Sequence, residues 1–374
     1  MSLPARINRR ENPCTSLLAD ALERHGAVVD DFRLRDALLA RPDLLHVHGP
    51  DFFAQGRVPG EAVLRAAAFM TLVTRLRLAG TTVIWTAHNV EPHDDERSPL
   101  QRALRAWFVR RADGVIAMTG AGRAALVARH PVLVRRPVAV IPHGSFQDAY
   151  PRSLDRAAAR ERLGLPPDAT VVAFLGAIRP YKNLPGLIAA FRALPDPRLR
   201  LLICGQPWSD PLAREIRAAA ARDSRIRPDL RHLPAGEVHV PLLAADLVAL
   251  PYRERGHSGA AILALSFDRP VLLPGHCEVA DAGTLAGAGW LRTYHGDLDA
   301  GALAAALTWA AGAPRSPRPP LEGLDWDPIA REHLAFFAAA AAVAAARRKR
   351  TRPFGLPGRS GRSSRLSSAR SGDA

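Results

Sequence analysis

Short runs of Val, Ile, Leu and Ala alternate with helix-like segments along nearly the whole chain, and that alternation restricts the fold more than any other feature. A strand buried on both faces reads as a continuous apolar run, and strands separated by helices join into parallel sheets through crossovers. Strands are expected at 44–47, 82–86, 114–118 and 138–141, then at 171–175, 199–204, 230–233, 245–250 and 270–273. Helical patterns lie between them at 15–24, 61–78, 99–111, from Thr119 or Gly120 onward, at 154–163, 184–194, 211–221, 259–267 and 298–311. A Pro-containing, charged stretch at 150–168 divides the series. The chain therefore reads as α/β, with two Rossmann-like, doubly wound parallel-sheet domains at 1–150 and 151–325, a final helix at 326–346 and a tail at 347–374.

Hydrophobic residues make up 48% of the sequence, enough for real cores. Cys14, Cys204 and Cys277 are far apart and form no metal-like pair, which points to a reducing compartment without disulfides. The N-terminal residues are polar and carry no signal-peptide pattern. The most apolar stretch, 334–346, has 13 residues and reads as a packing helix, short of the ~18–20 needed to cross a bilayer. The net charge is +15; from Arg347 onward nine Arg and Lys against one Asp hold +8 of it, leaving +7 on the rest. That Ser-, Gly- and Arg-rich tail reads as disordered. It suits attraction to an anionic membrane, or simple solubilisation; with Phe354 as its one aromatic residue it lacks base-stacking groups, so no nucleic-acid partner is expected. Arg102, Arg105, Arg110 and Arg111 form a second candidate basic face on the 99–111 helix.

Ligands of open α/β sheets bind at the carboxyl ends of the strands. After the 171–175 strand the chain breaks at Gly176 and presents Arg179 and Lys182, a setting suited to a phosphate or to two solvated cations. Ser258-Gly259 opens an apolar helix, where free N–H groups and the helix dipole favour an anion, though plain N-capping by Ser258 explains the pair equally. In the first half the strand ends carry His46 and His48-Gly49, His88-Asn89-Val90-Glu91, Thr119-Gly120 and His143-Gly144. These histidines suit sugar hydroxyls and acid–base work, or plain structural hydrogen bonds; none has the i, i+4 spacing of a zinc helix. Asp94-Asp95 and Asp297/Asp299 read as a turn and a helix cap.

In order along the chain stand Asn12-Pro13, His48-Gly49, Thr86-Ala87-His88-Asn89 and Ile141-Pro142-His143-Gly144, then Phe174-Leu175-Gly176 with Arg179-Pro180-Tyr181-Lys182-Asn183. Ala245-Asp246-Leu247, Leu250-Pro251-Tyr252, Ser258-Gly259 and Arg269-Pro270-Val271 complete the series. Over roughly residues 12–345 this order resembles the GT-B glycosyltransferases, the sugar-nucleotide enzymes of bacterial polysaccharide and glycolipid synthesis. The resemblance implies two domains facing a cleft, with the terminal helix crossing back to the first. It implies a nucleotide sugar, a GDP-mannose or a UDP-hexose, as donor and a saccharide or lipid-linked acceptor, with no metal. Gly176, Arg179, Lys182, Ser258 and Gly259 would hold the diphosphate, and Glu254, Cys204 and Gly205 the ribose and base. His88 would be catalytic, with His48, Gly49, Asn89, Glu91 and His143 on the acceptor side. Such an enzyme is expected in the cytoplasm, peripheral at the inner membrane face.

Two departures stand out. Many relatives carry two glutamates eight positions apart, and registering on Pro270 puts those positions at Arg255 and Leu263. The first strand is barely present, with Ala5-Arg6-Ile7 as its short candidate. Rival readings are a nucleotide-sugar epimerase of the same fold, with Glu91 and Asp94 as its carboxylates, and a non-catalytic sugar-nucleotide or nucleic-acid binder.

Overall fold

The computed structural model describes residues 1–351, apart from 8, 10–12, 34–40, 57, 59, 90–97, 148, 255–257 and 280–281. The first half runs β1 (Ser2–Leu3), α1 (Cys14–Arg24), β2 (Leu44–Val47), α2 (Glu61–Leu78), β3 (Thr82–Ala87), α3 (Pro99–Val109), β4 (Gly114–Ala117), α4 (Gly120–Arg129) and β5 (Val138–Val140). The second runs α5 (Arg156–Arg162), β6 (Thr170–Leu175), α6 (Leu184–Arg192), β7 (Leu199–Cys204), α7 (Asp210–Ala221), β8 (Ile226–Asp229), α8 (His239–Ala244) and β9 (Leu247–Ala249). It continues with α9 (Gly259–Ser266), β10 (Val271–Pro274), α10 (Ala282–Gly287), β11 (Leu291–Tyr294) and α11 (Ala300–Gly312), and α12 (Trp326–Thr351) follows.

Two wholly parallel sheets result, as the alternation requires: β1-β2-β3-β4-β5 and β11-β10-β9-β6-β7-β8. In the second sheet the chain leaves β6 in one direction to β7 and β8, then returns to its other side with β9, β10 and β11. The order therefore reverses between β6 and β9, which makes their carboxyl ends the natural crevice.

Three expectations need correction. The first strand is Ser2–Leu3, in register with His46 and Val47. Ala5, Arg6 and Ile7 form the turn after it, and their amides donate to Asp31 Oδ1 at 3.0, 2.7 and 3.3 Å. The strand expected at 230–233 lies four residues earlier, at Ile226–Asp229, paired with β7. The last helix does not stop at Ala346 but runs to Thr351, so the tail expected from Arg347 begins as helix. By length and composition Trp326–Lys349 would suffice to cross a bilayer (mean hydropathy 1.4). Here it lies across the first sheet, where Ile329, Ala330 and Ala340 pack with Leu18, Leu22, Ile84, Ile116 and Ile141. Residues 352–374, and with them most of the expected tail, lie outside the described residues.

The crossing between halves is pinned near its turn. The Trp326 indole N–H donates to Ser145 O at 2.7 Å, Ser145 N to Leu324 O at 2.8 Å, and Phe146 N to Ser266 Oγ at 2.8 Å. Gly144 is needed there by close approach: a Cβ would sit 2.4 Å from the Trp326 ring.

Candidate functional site

The crest between β6 and β9 is built by backbone necessity. Gly176 ends β6 at φ +121°, and Gly205 ends β7 at φ +150°. A Cβ on Gly205 would lie 2.0 Å from Gly176 O, so the two strand ends touch only because glycine stands there. Past Gly176 the chain bridges Ile178 to Pro207, and the short 3-10 turn Pro180–Lys182 swings both cations over the crest. Asn183, left-handed at φ 51°, then starts α6. Arg179 sits over the Trp208 indole, 4.0 Å from guanidinium carbon to ring centroid. Lys182 Nζ sits 3.4 Å from where a Gly176 Cβ would be and 5.4 Å from the Tyr252 ring centroid. Burial, and after it the nearby Arg179 guanidinium, push the Lys182 ammonium down from 10.5 to about 8. Two cations held close together, one largely stripped of water, form a site that gains by taking up an anion.

The other wall is the start of α9. Ser258 caps it, accepting from Ala261 N at 3.2 Å, so the capping reading of Ser258 holds. Its own amide donates to Glu278 O at 3.1 Å, which leaves Gly259 at the mouth of the helix. His143 reaches this point from the end of β5: its Nε2 lies 3.8 Å from where a Gly259 Cβ would be. His143 Nδ1 donates to Gly144 O at 2.7 Å, so Nε2 keeps its lone pair. Burial lowers the His143 pKa, partly opposed by that hydrogen bond, and the ring faces α9 as neutral imidazole.

The first sheet presents a histidine cluster. His48 Nδ1 and His88 Nε2 share a hydrogen bond at 3.1 Å, and His46 Nε2 bonds Thr86 Oγ1 at 2.7 Å. His333 from α12 joins them, 6.0 Å from His46 between ring centroids. Burial first, then the other rings, hold His46 and His48 well below the ordinary range; burial and His143 bring His88 to about 4. All are neutral near pH 7. His48 Nε2 is buried without a hydrogen-bond partner among the described residues. His48, Gly49, His88 and Asn89 line a cavity of about 250 Å³ whose floor holds a buried ion pair between Asp51 and Arg105. Arg105 Nε donates to Asp51 Oδ1 at 3.0 Å and Nη1 to Asn89 O at 3.3 Å. Arg105 thus supports the cavity and does not belong to the basic face expected of it.

A second tie crosses the cleft, where Thr119 Oγ1 donates to Glu278 Oε2 while capping α4 through Gly122 N at 3.0 Å. The structure thus brings Gly176, Arg179, Lys182, Ser258 and Gly259 to one crevice and His143 to its opposite side. His48, Gly49, His88 and Asn89 line the neighbouring cavity. Cys204 lines a different hollow of about 330 Å³ with Arg227, Asp229 and Glu237, and Gly205 acts through its close approach to Gly176. Glu254 lies in the loop after Tyr252, its carbonyl 3.9 Å from Cys277 Sγ. Asp299 caps α11, as expected, through Ala302 N at 2.7 Å. Asn12, Glu91, Asp94, Asp95 and Arg255 lie outside the described residues. Sequence reasoning missed Asp51, Trp208, Glu278 and His333; only Trp208, in the loop after β7 beside the Gly176 loop, carried a readable signal. Among the described residues no three His, Cys, Asp or Glu side chains converge as metal ligands.

Two family descriptions match the chain: "Glycosyltransferase Family 4" over residues 22–145 and "Glycosyl transferases group 1" over residues 155–307. The chain is similar to a GDP-mannose:glycolipid 4-beta-D-mannosyltransferase of Xanthomonas campestris pv. campestris, 33% identical over 337 residues that cover 89% of this chain and 90% of the relative. A D-inositol 3-phosphate glycosyltransferase of Corynebacterium kroppenstedtii is 31% identical over 207 residues, 53% of this chain and 44% of the relative. Among solved structures, WaaG, a glycosyltransferase involved in lipopolysaccharide biosynthesis, superposes with a TM-score of 0.58 at 13% identity, covering 89% of this chain and 94% of that one. The sucrose-phosphate synthase of Thermosynechococcus elongatus gives 0.58 at 19% identity over 80% and 74%. At those identities the likeness shows a shared fold.

Proposed function

Because this chain belongs to the GT-B glycosyltransferase superfamily, we propose that it moves mannose from GDP-mannose to a glycolipid, by a single inverting displacement that uses no metal. The observation that carries the reading is the convergence of Arg179, Lys182 and the mouth of α9 at the switch point between β6 and β9. The leaving group is a nucleoside diphosphate. Preorganised cations and helix N–H groups stabilise the charge that develops on it, the part a metal plays elsewhere. Donor identity is supported by the Xanthomonas relative, which matches nearly end to end and whose name specifies GDP-mannose and a β-linkage. A β-linkage made from an α-configured nucleotide sugar requires inversion, hence a base on the acceptor side and no nucleophile on the donor side. Leucine at position 263, where many relatives have glutamate, agrees with this.

His88 takes the proton of the attacking hydroxyl in this reading. A neutral imidazole bonded to His48, at the wall of the acceptor cavity, is unprotonated across the physiological range and so able to accept a proton. A second assignment is favoured by a specific observation: His143 has its tautomer set by Gly144 O and its Nε2 faces α9. His88→Gln and His143→Gln separate the two, since loss of the base lowers kcat by about 10²–10⁴ while loss of a sugar contact acts mainly on KM. The enzyme works in the cytoplasm, at the inner membrane face. The whole reading is tested by incubating the purified chain with GDP-mannose and a detergent-dispersed glycolipid and reading the anomeric configuration of the product by NMR. A β-mannoside is expected; an α-linked product, or transfer only from UDP sugars, would overturn it.

A further inference from the structure

A groove of about 660 Å³ runs along the edge of the first sheet, between α12, the loop after α1 and the start of β2. Its apolar walls are Leu22, Val28, Val29, Leu334, Phe337 and Ala341. They are open to water: Val28 is 83% exposed, and Ala338 and Val343 on the outer side of α12 are exposed as well. Only 28% of the most apolar stretch of α12 is buried, so this helix offers more apolar surface than α1 and the first sheet cover. Two exposed carboxylates, Asp30 and Asp43, line the groove with one cation, the Met1 ammonium, which donates to Leu44 O at 3.0 Å.

The described chain ends at the mouth of this groove. Arg348, near the end of α12, donates through Nη1 to Arg77 O at 3.3 Å and to Thr81 O at 3.2 Å. Thr81 Oγ1 donates in turn to Pro42 O at 2.8 Å, and Pro42 and Asp43 line the groove. The segment 352–374 therefore starts beside it. Within that segment Pro353, Phe354, Leu356 and Pro357 form an apolar group, and Arg359, Arg362 and Arg365 follow it at regular spacing.

We propose that the groove holds the chain's own C-terminal segment, with Phe354, Leu356 and Pro357 against α12 and the arginines that follow against Asp30 and Asp43. The lengths agree. Ala341 and Phe337 lie about 15 and 21 Å back along the helix from Thr351. A chain doubling back at about 3.3 Å per residue covers those distances in about five to six residues, which brings Leu356 and Pro357 to these two side chains. Pro353 cannot continue a helix, and Gly355 and Gly358 ease a change of direction. The charges agree in sign, since the segment is basic and the groove carries two carboxylates against one ammonium. Tethering favours this occupant over a separate partner: a segment attached beside its groove meets it at an effective concentration in the millimolar range.

The test uses the full chain in a Cys277→Ser background, because Cys14 and Cys204 are buried. Leu356→Cys is combined either with Val28→Cys, in the groove, or with Leu78→Cys, outside it. Leu78 is 85% exposed and adjoins Arg77, which Arg348 touches, so a segment indifferent to the groove would close on position 78 first. Under mild oxidation the 28–356 disulfide should instead form within one chain at least about fivefold faster than the 78–356 disulfide. A second reading needs no engineered cysteine. Trypsin should cut after Arg359 about tenfold faster in Phe354→Asp, and about threefold faster in Asp30→Lys/Asp43→Lys, than in the wild type, because both changes release the segment. Asp30 and Asp43 are exposed, so melting temperatures should hold well enough for the comparison. Equal disulfide rates at the two positions, or a faster 78–356 pair, overturn the inference, and so does wild-type cleavage of Phe354→Asp. A 28–356 disulfide that forms only between two chains also overturns it and assigns the groove to a second copy.

Discussion

Lys182→Met separates function from stability by moving them in opposite directions. In the free enzyme this ammonium is largely buried beside Arg179, and burial followed by Arg179 brings it from 10.5 to about 8. At 1.36 kcal/mol per pH unit, holding it charged costs the fold up to about 3 kcal/mol at pH 7. Methionine keeps most of the apolar stem. The ligand-free variant should therefore melt higher, by a margin of about 1–3 kcal/mol after some lost packing. The sign of the pH dependence follows: between about 8 and 10.5 the unfolded chain binds more protons at this group than the folded one does. The group's contribution to stability thus rises with pH across that window in the wild type, and the variant lacks the rise. Function should go the other way. A charge at about 4 Å from phosphate at an effective dielectric of 20 is worth about 4 kcal/mol, and a charge-assisted hydrogen bond nets about 1.5–3 kcal/mol. With Arg179 still in place, a loss of about 2–4 kcal/mol is expected, roughly 30- to 700-fold in kcat/KM for the donor. Calorimetric melts at pH 7 and 9.5, with initial rates at subsaturating donor, measure both effects. A variant with wild-type kcat/KM, or one less stable than the wild type without ligand, would refute the reasoning.

Donor kcat/KM should fall as pH rises through about 8, where free Lys182 loses its proton, and Lys182→Arg should remove that fall; a wild-type profile flat to pH 9.5 would count against the assignment. Turnover should survive EDTA, since cations and N–H groups meet the diphosphate charge; loss on chelation with recovery on adding Mg²⁺ or Mn²⁺ would contradict this. In thermal-shift titrations GDP should stabilise more than UDP or ADP, by about 2.7 kcal/mol at ~100 times its Kd, and equal shifts for all three would remove the guanine preference. Arg105→Ala should cost about 3–5 kcal/mol of stability, because it strands the buried Asp51 carboxylate, and a denaturant midpoint near the wild type would show that the pair is dispensable.

The parallel two-sheet architecture follows from the alternation of doubly buried runs with helices, a local property that needs no knowledge of the partners. The loop after Gly176 and the Ser258 cap were legible for the same reason, since glycine at a strand end and serine before an apolar helix act within a few residues of themselves. The strand Leu291–Tyr294 was not, because Arg292 and Thr293 break its apolar run and only pairing with β10 makes it a strand. Tertiary structure alone decided that β6 and β9 are neighbours, which turns two loops some 75 residues apart into one crevice. It also decided that His143 faces α9, that Thr119 meets Glu278, and that His333 closes the histidine cluster. Arg105 shows why. Its place on a helix with Arg102 and Arg110 reads as a basic face, yet it turns inward because Asp51, distant in sequence, offers a buried carboxylate. A charged side chain is exposed or buried according to the partner that folding brings to it, and the local sequence around Arg105 carries no record of that partner.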